Sequence, residues 1–187
     1  FEEKSLQLLG DINLEGKCLV LHSFSSVLLP AIIEKNFNPQ AICLVESSIT
    51  SFDKGWTGKP ASLEGSEFNK WFERFQTAAF NTIKYQLVNR FNNSFINRWS
   101  EPLKQVDRRT IKICSDYLHK DFDREKIINT IDSLNIPVRA LFGSHTRLSN
   151  SKEILLNLPN VDVGTIERSG HFPMLDNPLM LANQILA

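Results

Sequence analysis

The sequence carries no excess charge of either sign: 21 Lys and Arg balance 21 Asp and Glu, a formal net charge of +0. Nucleic-acid binders ordinarily show a basic surplus, so no nucleic-acid partner is expected. Nor is there a block of like charges to act as an interaction tail. Cysteine is scarce. Cys18, Cys43 and Cys114 are odd in number and widely spaced, with no C-x-x-C pair, so no zinc or redox site is expected. Cys18 and Cys43 lie in apolar, strand-like runs, which predicts buried, reduced thiols of a cytoplasmic protein. No apolar stretch is long enough to span a bilayer and no secretory signal is visible, so no membrane partner is expected. The phosphate-cradling patterns G-x-G-x-x-G and G-K-[ST] are missing, which sets aside a nucleotide-binding domain. Repeats and low-complexity tracts are missing as well.

What is present reads as an ordinary globular chain. Its 187 residues suffice for one domain with a core, and an apolar fraction of 42% is enough to fill it. Residues 1–9 read as the end of an amphipathic helix that stops at Gly10 and Asp11. KCLVLH (17–22) and AICLV (41–45) are short apolar runs, predicted as buried strands. Between them, Val27, Leu28, Ala31 and Ile32 follow helical spacing over 24–36, with Pro30 expected to kink that helix. Strand, helix, strand in this order form a parallel βαβ unit. Residues 51–66 are rich in Gly, Ser, Lys and Pro and read as a loop. Residues 67–134 turn polar and helical, with Phe68, Trp71, Phe72, Phe75, Phe80, Tyr85, Phe91, Phe95 and Trp99 among them. These aromatics either pack between helices or line an apolar pocket. The α/β rhythm then resumes, with strands at 137–143 and 161–167, a helix at 151–158, and a last helix from Pro178. The chain thus divides into a sheet part (1–66), a helical insertion (67–134) and a second sheet part (135–187).

Two segments carry chemistry. In C-L-V-L-H-S-F-S-S-V-L-L, Ser23 sits at a strand-to-helix turn, above the carboxyl end of the sheet where open parallel sheets bind ligands. The following helix aims backbone N–H groups at an incoming anion, and the Phe24 N–H is one donor for a developing oxyanion. The other role open to Ser23 is a helix N-cap. In R-S-G-H-F-P-M-L-D-N-P (168–178), His171 stands between the last strand and the last helix.

The first segment resembles the nucleophile elbow of α/β-hydrolases, and the second resembles their catalytic-histidine loop, in the esterase, epoxide hydrolase and haloalkane dehalogenase group. The elbow departs from G-x-S-x-G, with Leu21 and Ser25 in the flanking places. Leu21-His22 is similar to the pair that haloalkane dehalogenases carry before their nucleophile. The resemblance implies a partial α/β-hydrolase fold, a mostly parallel sheet flanked by helices with a helical cap insertion. It also implies Ser23 as nucleophile, His171 as base, and His22 and Phe24 as elbow and oxyanion residues. The usual acid position, in a G-x-x-D pattern, is Thr146, which cannot serve. An alternative family location, after the strand that follows the nucleophile helix, is Glu46. Its competing role is a strand-end carboxylate satisfied by backbone N–H groups. Asp53 is a more distant candidate, and His145 is read as an exposed loop residue. Asp176 is assigned a helix N-terminal role.

A serine nucleophile implies acyl transfer on a small apolar or acyl ester-like molecule, without metal or organic cofactor. The alternative is a non-catalytic ligand-binding or interaction protein of the same fold. The family's domain begins with further strands and a second oxyanion donor. The chain opens on Phe1, so it is expected to be a fragment of a longer protein.

Overall fold

The structure, a computed structural model, describes residues 7, 15–50, 58–89, 93–121 and 123–187. The helix expected over 1–9 lies outside the described residues but for Gln7, and so do Asp53 and Phe91. Four described strands form one sheet: β1 (Cys18–His22), β2 (Ala41–Val45), β3 (Val138–Gly143) and β4 (Val161–Ile166). They lie in chain order and every pairing is parallel. All four fall where the sequence predicts strands. A parallel strand buried on both faces needs an unbroken apolar run rather than an alternating one.

Successive side chains still point to opposite faces. Ile42, Leu44, Ala140 and Phe142 join one core with Leu21, Leu29, Ile32, Ile127, Ile131 and Leu155. Cys43, Val45 and Leu141 join the other, with Ile166 and Leu181. The first core is supplied by helices α1 (Leu29–Glu34), α7 (Arg124–Asp132) and α8 (Ser149–Leu156), and the second by α10 (Pro178–Leu186). Residues 124–132, read from sequence as part of the helical insertion, thus pack Ile127 and Ile131 against the sheet itself.

Three expectations need correction. Pro30 does not kink a helix. Ser23–Leu28 form a 3₁₀ turn, and α1 begins at Leu29 with Pro30 in its first turn. A missing N–H is harmless there, because first-turn N–H groups have no intrahelical partner. Within the stretch read as loop, Gly58–Ala61 form a short helix, α2. Cys18 is exposed rather than buried, because β1 is the edge strand among those described, and Cys114 is half-buried. Cys43 is buried as expected, and burial pushes its thiol up to about 12, so it stays protonated.

Between β2 and β3 the chain also forms α3 (Gly65–Thr77), α4 (Ala79–Lys84), α5 (Asn93–Gln105) and α6 (Arg108–Asp116), followed by a π-helical turn, Tyr117–Asp121. On α3, Phe68, Phe72 and Phe75 follow helical spacing and are buried with Ile111 of α6 in a core of their own. Trp71 stacks on Phe75 with ring centroids 5.2 Å apart. These aromatics therefore pack helix to helix. Tyr85 and Trp99 remain exposed.

The last loop closes tightly over the sheet. His145 N donates to Ser169 O at 2.9 Å. A Cβ at Gly143 would collide with the carbonyl oxygens of Ser169 and Gly170, so only glycine fits. Gly143→Ala is expected to cost about 1–3 kcal/mol, a typical overpacking penalty, and to lower the urea midpoint without changing the slope.

Candidate active site

Ser23 follows β1 directly and has φ 55, the left-handed region that side chains other than glycine seldom adopt. The strand delivers the chain to the bend, and serines after it hold it there. Ser25 Oγ donates to His22 O at 2.8 Å, and Ser26 Oγ donates to Ser23 O at 2.8 Å. Short hydroxyl side chains bonded to local carbonyls are a recognised way to stabilise a turn. Leu21, at the first glycine place of the G-x-S-x-G pattern, is buried in the core, so its side chain points away from the bend. The contribution of Ser26 was not foreseen; its signal is the run S-F-S-S itself.

Glu46 stands in the equivalent place after β2 and is also left-handed, φ 46. Its side chain has no exposure to solvent. Oε1 accepts from Gly143 N at 2.7 Å, and Oε2 accepts from the Thr146 hydroxyl at 3.0 Å. His171 Nδ1 lies 3.2 Å from the same Oε2, and His171 Nε2 lies 2.9 Å from Ser23 Oγ. A carboxylate can only accept, so Nδ1 carries the hydrogen and Nε2 is left to accept the serine proton. The structure therefore brings Ser23, His171 and Glu46 into one hydrogen-bonded chain. Thr146 is bound to Glu46 and, through its hydroxyl, accepts from Leu148 N at 3.1 Å.

His22 lies beneath the base. Its Nε2 donates to His171 O at 2.8 Å, and the two rings are 5.1 Å apart. Burial first, then the neighbouring His171, lowers its pKa to about 4. The Phe24 ring meets Tyr117 edge-on at 6.5 Å, a contact between the elbow and the helical insertion. His145 is exposed, as expected. Asp176 does not act at a helix N-terminus: Asn177 caps α10, and the Asp176 carboxylate accepts from backbone N–H groups of Gly170, Val88 and Asn89. Among the described residues, no group of three or more His, Cys, Asp or Glu is placed to hold a metal ion, and no helix is long and apolar enough to cross a membrane.

Neither a protein-family model nor a curated protein matches the sequence. Solved structures do match by shape. Cfl2 from Burkholderia cenocepacia superposes with a TM-score of 0.76 at 12% identity, covering 99% of this chain and 69% of that one. A 2-hydroxy-6-oxo-6-phenylhexa-2,4-dienoate hydrolase from Rhodococcus gives 0.68 at 16% identity, over 99% of this chain and 68% of its own. A thermophilic esterase from Thermogutta terrifontis gives 0.72 at 13% identity, over 99% and 69%.

The chain has an α/β-hydrolase fold. Among such folds the ends of neighbouring parallel strands are where ligands bind, and Ser23, Glu46 and the start of the β3 loop all lie there.

His22 gives this site a pH signature. Folding lowers its pKa from 6.5 to about 4, so the unfolded chain takes up a proton first as pH falls. Its stabilising effect is fully present above pH 6.5 and is lost progressively as pH falls towards about 4. The ring resonances of His22 are expected to titrate with a midpoint near 4, and His22→Gln to flatten the acid limb of the stability–pH curve.

Proposed function

We propose that this α/β-hydrolase fold is a serine hydrolase that cleaves a small apolar or acyl ester-like substrate through an acyl-enzyme. The observation that carries the reading is the chain of contacts from Ser23 Oγ to His171 Nε2, 2.9 Å, and from His171 Nδ1 to Glu46, 3.2 Å. In the first half-reaction His171 Nε2 takes the Ser23 proton as Oγ attacks the carbonyl carbon. Glu46 holds the imidazole with its proton on Nδ1 and stabilises the imidazolium that forms. The Phe24 backbone N–H, next after the nucleophile, donates to the oxyanion. Protonated His171 then passes its proton to the leaving group. In the second half-reaction it activates water, which attacks the acyl-serine and restores the free hydroxyl.

A serine nucleophile argues against dehalogenase and epoxide hydrolase chemistry, which runs through a covalent alkyl ester on an aspartate. An acyl-serine forms only from a carbonyl or similarly electrophilic centre, which points to esters, thioesters, amides or activated ketones. The esterase among the structural neighbours is in keeping with an ester substrate.

Labelling with a fluorophosphonate probe tests the reading, since the probe reacts with an activated serine. The expected result is stoichiometric labelling of the chain and none of Ser23→Ala. Glu46→Gln, which presents an amide N–H to Nδ1 in one of its orientations, is expected to slow labelling on the order of a thousandfold or more through the wrong imidazole tautomer. Equal labelling of the chain and Ser23→Ala, or no labelling of folded chain, would sink the proposal.

A further inference from the structure

Among the described residues, the Ser23–His171–Glu46 arrangement leaves one buried carboxylate unused. Asp176, 8% exposed, ends the short helix α9 (Pro173–Asp176) that follows the histidine loop. Its Oδ2 accepts from Gly170 N at 2.8 Å, and Gly170 immediately precedes His171. Its Oδ1 accepts from Asn89 N at 2.7 Å, and both oxygens face Val88 N, at 3.0 and 3.1 Å. The Asp176 carbonyl accepts from Asn89 Nδ2 at 2.8 Å. Its polar partners are thus N–H groups of two segments distant in sequence, and a buried carboxylate needs such donors in place of water.

The second of those segments, 86–89, leaves α4 of the helical insertion. It also touches the base directly, because His171 N donates to Gln86 O at 3.1 Å. A Cβ at Gly170 would collide with that same Gln86 carbonyl oxygen, so the two backbones meet with no room for a side chain. Leu87 packs in one apolar cluster with Phe172 and Leu175 of the loop. The N–H of His171 is therefore held from the insertion, while its carbonyl is held from β1 by His22 Nε2 at 2.8 Å and its ring by Glu46.

We propose that Asp176 is a positioning residue that latches segment 86–89 of the insertion onto the histidine loop. The base is then aligned with Ser23 only while the insertion is docked. The latch rests on His171 acting as the base, as proposed above. Its reach follows from where the bonds land. The two bonds hold consecutive N–H groups, those of Gly170 and His171, so releasing them leaves the His171 backbone held only at its carbonyl by His22 and lets the imidazole shift against a Glu46 that is fixed to β3 by Gly143 N. A misplacement of roughly 1 Å at a reacting centre is enough to cost on the order of a hundredfold in rate.

Asp176→Asn keeps the side chain's volume and turns one acceptor into a donor facing a backbone N–H. Three quantities are compared with the unaltered chain: fluorophosphonate labelling rate per folded molecule, the proton resonance of His171 Nδ1–H, and amide exchange at Val88, Asn89 and Gly170. The expected result is a ten- to hundredfold slower labelling, a shifted or lost Nδ1–H resonance, and faster exchange at all three amides. Faster exchange with unchanged labelling and an unchanged His171 resonance would overturn the proposal, since Asp176 would then only be holding the fold. If the variant does not fold, Asn89→Ala removes a single bond of the latch and is expected to slow labelling several-fold with the same shift at His171; no change in either overturns the proposal. Should the unaltered chain fail to label while Asp176→Asn still displaces the His171 resonance, the latch stands and the serine hydrolase reading falls.

Discussion

A carboxylate sealed from solvent organises this molecule. Glu46 has no water to solvate it, and burying such a group without compensation costs several kcal/mol. Compensation comes from three places: the N–H at the end of β3, the hydroxyl of Thr146 and the imidazole of His171. Each donor lies on a separate stretch of backbone from β2, so satisfying the charge requires the sheet, the loop after β3 and the loop after β4 to be in register together. The chemistry proposed for the site and the closure of the sheet's carboxyl end are thus one electrostatic problem with one solution.

Strain is concentrated at the same edge. Ser23 and Glu46 end adjacent parallel strands, and both are left-handed. Non-glycine residues in that region cost on the order of 1–3 kcal/mol each, and they persist only where their surroundings overdetermine them. The serine hydroxyls after Ser23, and the pairing of Glu46 N with Leu141 O at 2.8 Å, provide that determination. Glycines are therefore dispensable at this elbow: Leu21 sends its side chain into the core, and neighbouring hydroxyls bind the carbonyls that the turn exposes.

Much of this was legible in the amino-acid order, and the limits have physical causes. The buried, unbroken apolar run of β2 announces a central parallel strand, β1, β3 and β4 were legible as short runs bounded by turn residues, and the S-G-H-F-P loop marked His171 through its resemblance to a catalytic-histidine loop. Glu46 was a candidate because the resemblance offers an acid position after the strand that follows the nucleophile helix, and its carboxylate lies 3.2 Å from His171 Nδ1. Edge position is not local, and so Cys18 was expected inside when it lies at the surface. Pro30 was misjudged because a 3₁₀ turn moves the helix start past it. The role of Asp176 was hidden for a deeper reason: its partners are backbone N–H groups, which have no residue identity, on a segment far back in the chain. Phe68, Phe72 and Phe75 of the insertion carried helical spacing, and that spacing meant packing.

The sheet's connectivity also dictates an order of events. Strand β2 ends at Val45 and its partner β3 begins at Val138, with the helical insertion between them. Their pairing is a long-range closure, the kind that slows folding because loop entropy is lost before contacts repay it. The insertion has an aromatic core of its own around Phe68, Phe72 and Phe75, so it can condense early and shorten the effective loop. On the ribosome the side of β2 that faces β3 must wait unpaired until the chain through Gly143 has emerged. During that interval Ile42 and Leu44 lack the cover of Ile127 and Phe142, and the nascent chain exposes an apolar strand face of the kind that aggregates.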